Sequence, residues 1–254
     1  MAGTGANAFV GLGNILPVGM SDLTEASKTP KMRGGMVSFM NDSFGLRIFK
    51  YVRCLNTGGM TKDELMARVA LVTGTVTAAS GETNDTTHLS DTGNFTADNE
   101  TGKVGMINVA GAAAPEGECY IILSNTADTA TMDPNYALTA APASGDTYSH
   151  WGLFHGDDAA AGDNKINIHG VLMASPALRD YCWAQMYGFH PQVAVNTATA
   201  LTADQAVVAA AVGIDDLAAE TEEDWVGWTP MATSASVTRA GAFIDVWESS
   251  QPIA

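Results

Sequence analysis

The sequence predicts a mainly β protein: a sandwich- or barrel-like body, an extended N-terminal arm and few short helices. Three observations predict it. Runs of about 5–8 residues rich in Val, Ile, Tyr, Phe and Trp recur along the chain, separated by Gly, Pro, Asn and Asp, the pattern of an all-β sandwich or barrel. Helical periodicity is confined to two short stretches. The first 45 residues, rich in Gly and Met with Pro17 and Pro30, keep neither period over any long window. Alone, such a segment cannot bury enough surface to offset its ordering entropy. The expected division is therefore an arm over 1–45, a β-rich region over 46–150 with a long surface insertion, and a second β-rich region over 151–254, the two packed as one body.

The elements follow in order. "LRIFKYVRC" alternates Ile48, Lys50 and Val52 with Phe49, Tyr51 and Arg53 and reads as a strand. In "MTKDELMARVALV" Thr61 and Glu64 have the spacing of a capping box, so a helical turn is expected before a strand. Residues 74–102 are nearly all turn formers and small polar residues, the expected surface excursion. "KVGMINV" and "ECYIILS" read as strands joined across Pro115 and Gly117, and "YALTAA" as another. Strands follow on both sides of an acidic loop at 157–164, then in "QAVVAAAVG", "WVGWTPMAT" and "AFIDVWE". "DDLAAETEED", 215–224, reads as a second helical candidate or equally as loop.

Net charge is −16, unevenly spread: residues 1–53 carry +3, leaving −19 on the rest. An acidic body repels nucleic acid and most membrane surfaces, so neither is expected as a partner. No apolar run approaches the roughly 18–20 residues of a membrane-spanning helix. The N-terminus has no Lys or Arg before its apolar residues, so a protein made and used without export is expected. Cys54, Cys119 and Cys182 are too widely spaced for a disulfide framework or a zinc pattern and read as buried thiols.

The densest chemistry lies in "DYCWAQMYGFHPQV", residues 180–193. As a strand it places Tyr181, Trp183, Gln185 and Tyr187 on one face and Cys182, Ala184, Met186 and Gly188 on the other. A large face opposite a small one suits a closely packed sheet, with Tyr181, Trp183 and Tyr187 filling a core or a subunit seam. Pro191 should break the ladder, giving strand, bend and strand. Cys182 and His190 lack further ligands nearby, and His150, His155, Asp157 and Asp158 match no ligand spacing, so no metal is assigned. "GTGANA" has the letters of a dinucleotide fingerprint but no strand before it. Phosphate-loop, nucleophile-elbow and paired-His motifs are absent from the sequence. No catalytic or cofactor-binding residue is assigned.

The order "FKYVR", "KVGMINVAG", "GECYIILSNTADTATMDPNYALTAAP", "NIHGVLMASPALRDYCWAQMYGFHPQVAV" and "VGWTPMATSASVTRAGAFIDVWE" resembles the head decoration, or cement, proteins of tailed bacteriophages. The likeness covers roughly residues 46–248; "CWAQMYG" after "GVLMAS" resembles that family's aromatic-x-Gln-x-Tyr/Trp-Gly strand. The N-terminal 45 residues and the 74–102 stretch depart from its pattern. The resemblance implies a non-enzymatic virion protein, commonly trimeric, assembled in the host cytoplasm on the outside of a shell of major capsid protein. The arm is then the expected contact with the shell, through Phe9, Val10, Ile15, Leu16 and Met20 and the cations Lys28, Lys31 and Arg33. The alternatives are another phage component (tail, neck or fibre) and, behind it, a small-ligand binder or an enzyme.

Overall fold

The computed structural model describes residues 23–77, 84–111, 115–160, 167–196, 200–210, 213–216, 225–234 and 236–246. Among them run the strands β1 (Val37–Asp42), β2 (Gly45–Cys54), β3 (Leu65–Arg68), β4 (Val72–Thr75), β5 (His88–Ser90), β6 (Val104–Val109), β7 (Cys119–Asn125) and β8 (Thr129–Met132). Then come β9 (Thr147–Trp151), β10 (His155–Asp158), β11 (Ile168–Leu172), β12 (Tyr181–Ala194), β13 (Gln205–Ala210), β14 (Gly213–Asp216), β15 (Trp225–Thr229) and β16 (Arg239–Asp245). The protein is mainly β.

The chain forms two compact units: residues 1–68 with 154–254, and residues 69–153. This differs from a division at 150/151. Residues 46–68 belong with the C-terminal strands because β2 pairs with β12 from Tyr181↔Arg53 to Tyr187↔Ile48, and β3 pairs with β10 and β11.

In the first unit, ten strands run in the order β1-β2-β10-β3-β11-β12-β16-β15-β13-β14. The extra β2–β12 pairing closes β2, β10, β3, β11 and β12 on one another, so this part is a small barrel with β16, β15, β13 and β14 extending from it. β2 is consequently buried on both faces from Arg47 to Cys54, apart from half-buried Lys50. Its apolar residues serve three clusters: Ile48 joins the large core of Val171, Val193, Val207, Val226 and Ile244; Val52 and Cys54 face Met66, Leu172 and Cys182; Phe49 and Tyr51 face Trp183.

The expected arm ends sooner than residue 45. Residues 1–22 lie outside the described residues, but β1 pairs with β2 from Val37↔Lys50 to Asp42↔Gly45. A two-residue turn joins them: Asp42 Oδ1 accepts the Phe44 N–H at 2.9 Å, and Gly45 takes φ +86°, which favours glycine. Further back, Ser27 and Tyr181 exchange backbone hydrogen bonds of 3.0 and 2.8 Å.

The second unit is a six-stranded antiparallel sheet, β4-β9-β6-β7-β8-β5. Its core contains Leu89, Phe95, Ile107, Tyr120, Ile122, Met132 and Tyr148. The 74–102 stretch is thus not only a surface excursion: Val76, Leu89, Ser90, Phe95 and Glu100 from it are buried. Two local expectations also fail. Glu64 Oε2 accepts the Thr61 N–H at 2.6 Å, but Asp63 takes φ +76° and the capping contact closes a turn into β3, not a helix. "YALTAA" is no strand, since Asp133 caps a 3-10 turn at Pro134–Tyr136 by accepting the Asn135 N–H at 2.9 Å. Of the second helical candidate, Asp215 and Asp216 lie in β14 and 217–224 fall outside the described residues.

Candidate functional site

Residues 181–194 fold as one 14-residue strand, β12, rather than strand, bend and strand. Pro191 is exposed and sits in a register shift between His190 and Val193, where a missing N–H costs no ladder bond. A second shift falls between Gln185 and Tyr187, whose partners Phe49 and Ile48 are neighbours on β2 and so point to opposite faces. Tyr187 therefore leaves the face of Trp183, against the simple alternation. Gln185, buried, ties the bulge by donating to the carbonyls of Gly188 at 2.9 Å and Tyr187 at 3.3 Å. Gly188 completes it with φ +96°; a Cβ there would lie 2.3 Å from the Leu46 carbonyl oxygen.

Trp183 is buried, opposite Tyr51 in register, with ring centroids 5.1 Å apart at 55°. Tyr181 stacks on Tyr51 at 5.8 Å, and the Arg53 guanidinium lies 5.6 Å over Tyr181. Leu23, Met40, Phe49 and Met173 complete the buried cluster around Trp183 and Tyr51. The chain's own segment from Leu23 to Met40 thus covers the aromatic face. A cleft beside it is lined by Glu25, Ser27, Lys31, Met32, Tyr51 and Trp183. Lys31 pairs with Glu25 at its rim, and the Lys31 backbone N–H donates to Tyr51 Oη at 3.3 Å. Lys28 and Arg33 are exposed. Phe9, Val10, Ile15, Leu16 and Met20 lie outside the described residues.

The opposite face packs Cys182 and Ala184 against Val52, Cys54, Met66 and Leu172. Burial pushes the Cys54 thiol up to about 11 and the Cys182 thiol higher still, so both stay protonated and poor as nucleophiles or ligands. Cys119 corrects the expectation of three buried thiols: it is exposed. His190 stands eight residues from Cys182 on one strand, about 26 Å at strand rise. Its Nδ1 accepts the Gln192 N–H at 3.2 Å and its Nε2 lies 3.7 Å from Asp63 Oδ1. Burial, with the Arg47 and Lys62 charges, pushes His190 down to about 3. His150 and His155 belong to different units. Asn56 Nδ2 donates to Asp157 at 2.8 Å and Asp158 at 2.7 Å. Among the described residues, no three His, Cys, Asp or Glu side chains are placed to hold an ion.

The second unit holds the group with the most acid–base character, which the sequence reading missed. Glu100 Oε1 accepts from Lys103 Nζ at 2.8 Å and its Oε2 faces His150 Nδ1 at 3.0 Å; His150 Nε2 meets Tyr120 Oη at 2.9 Å. All four are buried. Burial alone would raise Glu100, but the His150 hydrogen bond and the Lys103 charge outweigh it and hold the carboxyl below its usual range. Burial lowers His150 and raises Tyr120. Beside them, Tyr148 Oη donates to Asp91 Oδ2 at 2.7 Å, and Asn94 donates to both. Gly105 makes the close approach possible, since a Cβ there would lie 2.2 Å from the Tyr120 ring. Both nitrogens of His150 are engaged, so the imidazole has no face left for an incoming proton donor. The one available sequence signal was a His within the apolar alternation of "TYSHW".

No family model, curated protein or solved structure matches the chain.

Proposed function

We propose that the protein is a non-enzymatic virion structural protein that decorates the outside of a tailed-phage head. There it bridges neighbouring capsid proteins as a homotrimer, without nucleic acid or membrane as partner. The observation that carries this reading is the direction of its chemistry. Glu100, His150, Asp63, His190, Cys54 and Cys182 are buried within the folded units, whereas Lys28, Arg33, Phe44, Leu46 and Trp228 are exposed. The resemblance of the strand series to decoration proteins points the same way. A strongly acidic exterior suits a protein that must stay soluble until a specific surface receives it. In this reading residues 1–22, with Lys28, Lys31 and Arg33, contact the shell.

Quantitative mass spectrometry of purified particles tests the proposal. Hundreds of copies per particle are expected. A few copies would favour a tail, neck or fibre component, and absence from particles would refute both.

A further inference from the structure

The sheet of the second unit has two faces of different character. One carries the core, with Ile107, Tyr120, Ile122 and Tyr148 buried; alternate residues point the other way. There Trp151 on β9, Val104 on β6 and Ile121 on β7 stand opposite one another in register, and Ser149, Met106 and Cys119 form the next row. Thr147 and Val109 make a third pair. Trp151, Val104, Met106 and Ile121 are half-buried, Cys119 is exposed, and Val109 is 58% exposed. Across five strands, from Thr73 and Thr75 on β4 to Thr131 on β8, no described residue of this face is charged. Charge returns at the β5 edge, where His88 stands opposite Thr131 and pairs with Asp85. The chain has 28 acidic residues against 12 basic ones, so a broad uncharged face is a departure that solubility does not explain. Contiguous apolar surface marks an interaction site, and Trp and Met without charge are the composition of an interface core.

We propose that this face is the seam between copies of the chain: three copies turn it toward a common threefold axis, and the Trp151 and Met106 rows of each sheet pack on those of its neighbours. The seam presupposes the homotrimer proposed above and says which surface builds it. A second copy is the occupant that the charges select. Bodies of net charge −16 repel, and they meet at least cost where neither has an ionised group to desolvate or to oppose its counterpart. Closed symmetry sets the same patch of every copy around the axis, so the patch has to tolerate itself, which an uncharged face does and an acidic one does not. Its central polar atoms already have a partner when water is excluded, since Asn108 Nδ2 donates to Ser149 Oγ at 2.6 Å. The proposed shell contact draws instead on Lys28, Lys31 and Arg33 of the first unit, and this face offers a shell no charge to pair with.

The test uses the free full-length protein with no shell present. Sedimentation equilibrium should give a mass that rises with concentration from that of one chain toward that of three. Ile121→Lys sets three cations around the axis and should weaken association at least hundredfold, with the circular dichroism spectrum unchanged. Maleimide labelling of Cys119, fast in dilute wild type, should slow at least tenfold in concentrated wild type and stay fast in Ile121→Lys. With p-benzoylphenylalanine in place of Met106, irradiating a mixture of isotopically light and heavy copies should join light chains to heavy peptides carrying Val104, Ile121 or Trp151. Crosslinks to other surfaces of the second copy, or association unchanged in Ile121→Lys, place the seam elsewhere and overturn the proposal, as does a wild type that stays monomeric at every concentration. If Ile121→Lys loses its fold, the crosslinks decide alone. None of these outcomes alters the copy number on particles, on which the decoration reading stands or falls separately.

Discussion

Trp183 and Tyr51 face each other across β12 and β2, ring centroids 5.1 Å apart, beneath a lid formed by the segment from Leu23 to Met40. Truncating Trp183 to Ala removes the largest fully buried side chain of the unit and should cost about 3–5 kcal/mol, close to the whole stability of many domains. Cys182→Ala, which loses only a small thiol, should cost far less. Thermal melts of the two variants, each with and without EDTA, check the order. A chelator-sensitive protein in which Cys182→Ala is the more damaged would contradict it.

With the His150 hydrogen bond, the Lys103 charge holds the Glu100 carboxyl below its usual range within the second unit. Lys103→Met strands a buried carboxylate and should cost about 3–5 kcal/mol. Adding Glu100→Gln should restore part of that loss, because the uncompensated charge goes with it. Urea unfolding of both variants measures the difference; a double variant no better than the single one would mean the loss is one of packing.

Burial holds His150, His169 and His190 below their usual pKa, His190 at about 3. Below about pH 6.5 the unfolded chain binds protons that the folded chain refuses, so stability is complete above that pH and falls as the solution is acidified. Depressed Glu100 adds a loss of the same sign at lower pH. Each histidine contributes a slope of about 1.4 kcal/mol per pH unit within its window. Denaturant titrations from pH 7 to 4 should show the decline, and His190→Gln should flatten it by about one histidine's share. An equal slope in the variant would mean that His190 charges without opening the fold.

Cys119 is exposed on β7 while Cys54 and Cys182 are buried. A maleimide should therefore modify one thiol rapidly in the native protein, at Cys119, and the other two only on unfolding. Peptide mapping identifies the site; fast labelling of Cys54 would show that the barrel opens there.

The structure also sets where the N-terminus can be cut. Deleting residues 1–22 should leave a folded body and, if the proposed shell contact is right, abolish decoration. Deleting residues 1–44 removes β1 and the Leu23 and Met40 side chains that cover Trp183, so that variant should aggregate. Binding to shells, measured by co-sedimentation for soluble variants, separates loss of contact from loss of fold.

Most strands were legible because alternation and turn chemistry are local. The run 181–194 and "LRIFKYVRC" declared themselves through aromatic and β-branched content. β1 was not legible: its Ser38 and Met40 are buried while Val37 and Phe39 are half-buried, so no clean alternation marks it. The turn signal beside it, Asn-Asp-Ser-Phe-Gly at 41–45, is local, but without alternation on its N-terminal side it does not mark a hairpin. The 74–102 stretch misled because its few apolar residues, Val76, Leu89 and Phe95, are diluted by turn formers, yet each enters the core. The Glu100–His150 contact joins residues 50 apart, and no local pattern encodes a pairing at that separation. The bulge at Met186 depends on register, which a single strand's sequence does not specify.

Arg68 at the end of β3 pairs with Gly156 at the start of β10, so the whole second unit is spliced into what would otherwise be a hairpin turn. Closing a disordered loop of about 85 residues costs on the order of 3 kcal/mol more than a short turn. The second unit removes most of that burden if it folds first. Its own entry and exit strands, β4 and β9, are partners with Val72 opposite His150, which leaves only residues 69–71 and 152–154 to span. If it folds first, the inserted unit works as a clasp that holds the two ends of the gap together while the barrel closes. Weakening it through Lys103 should delay assembly of strands that contain none of its residues.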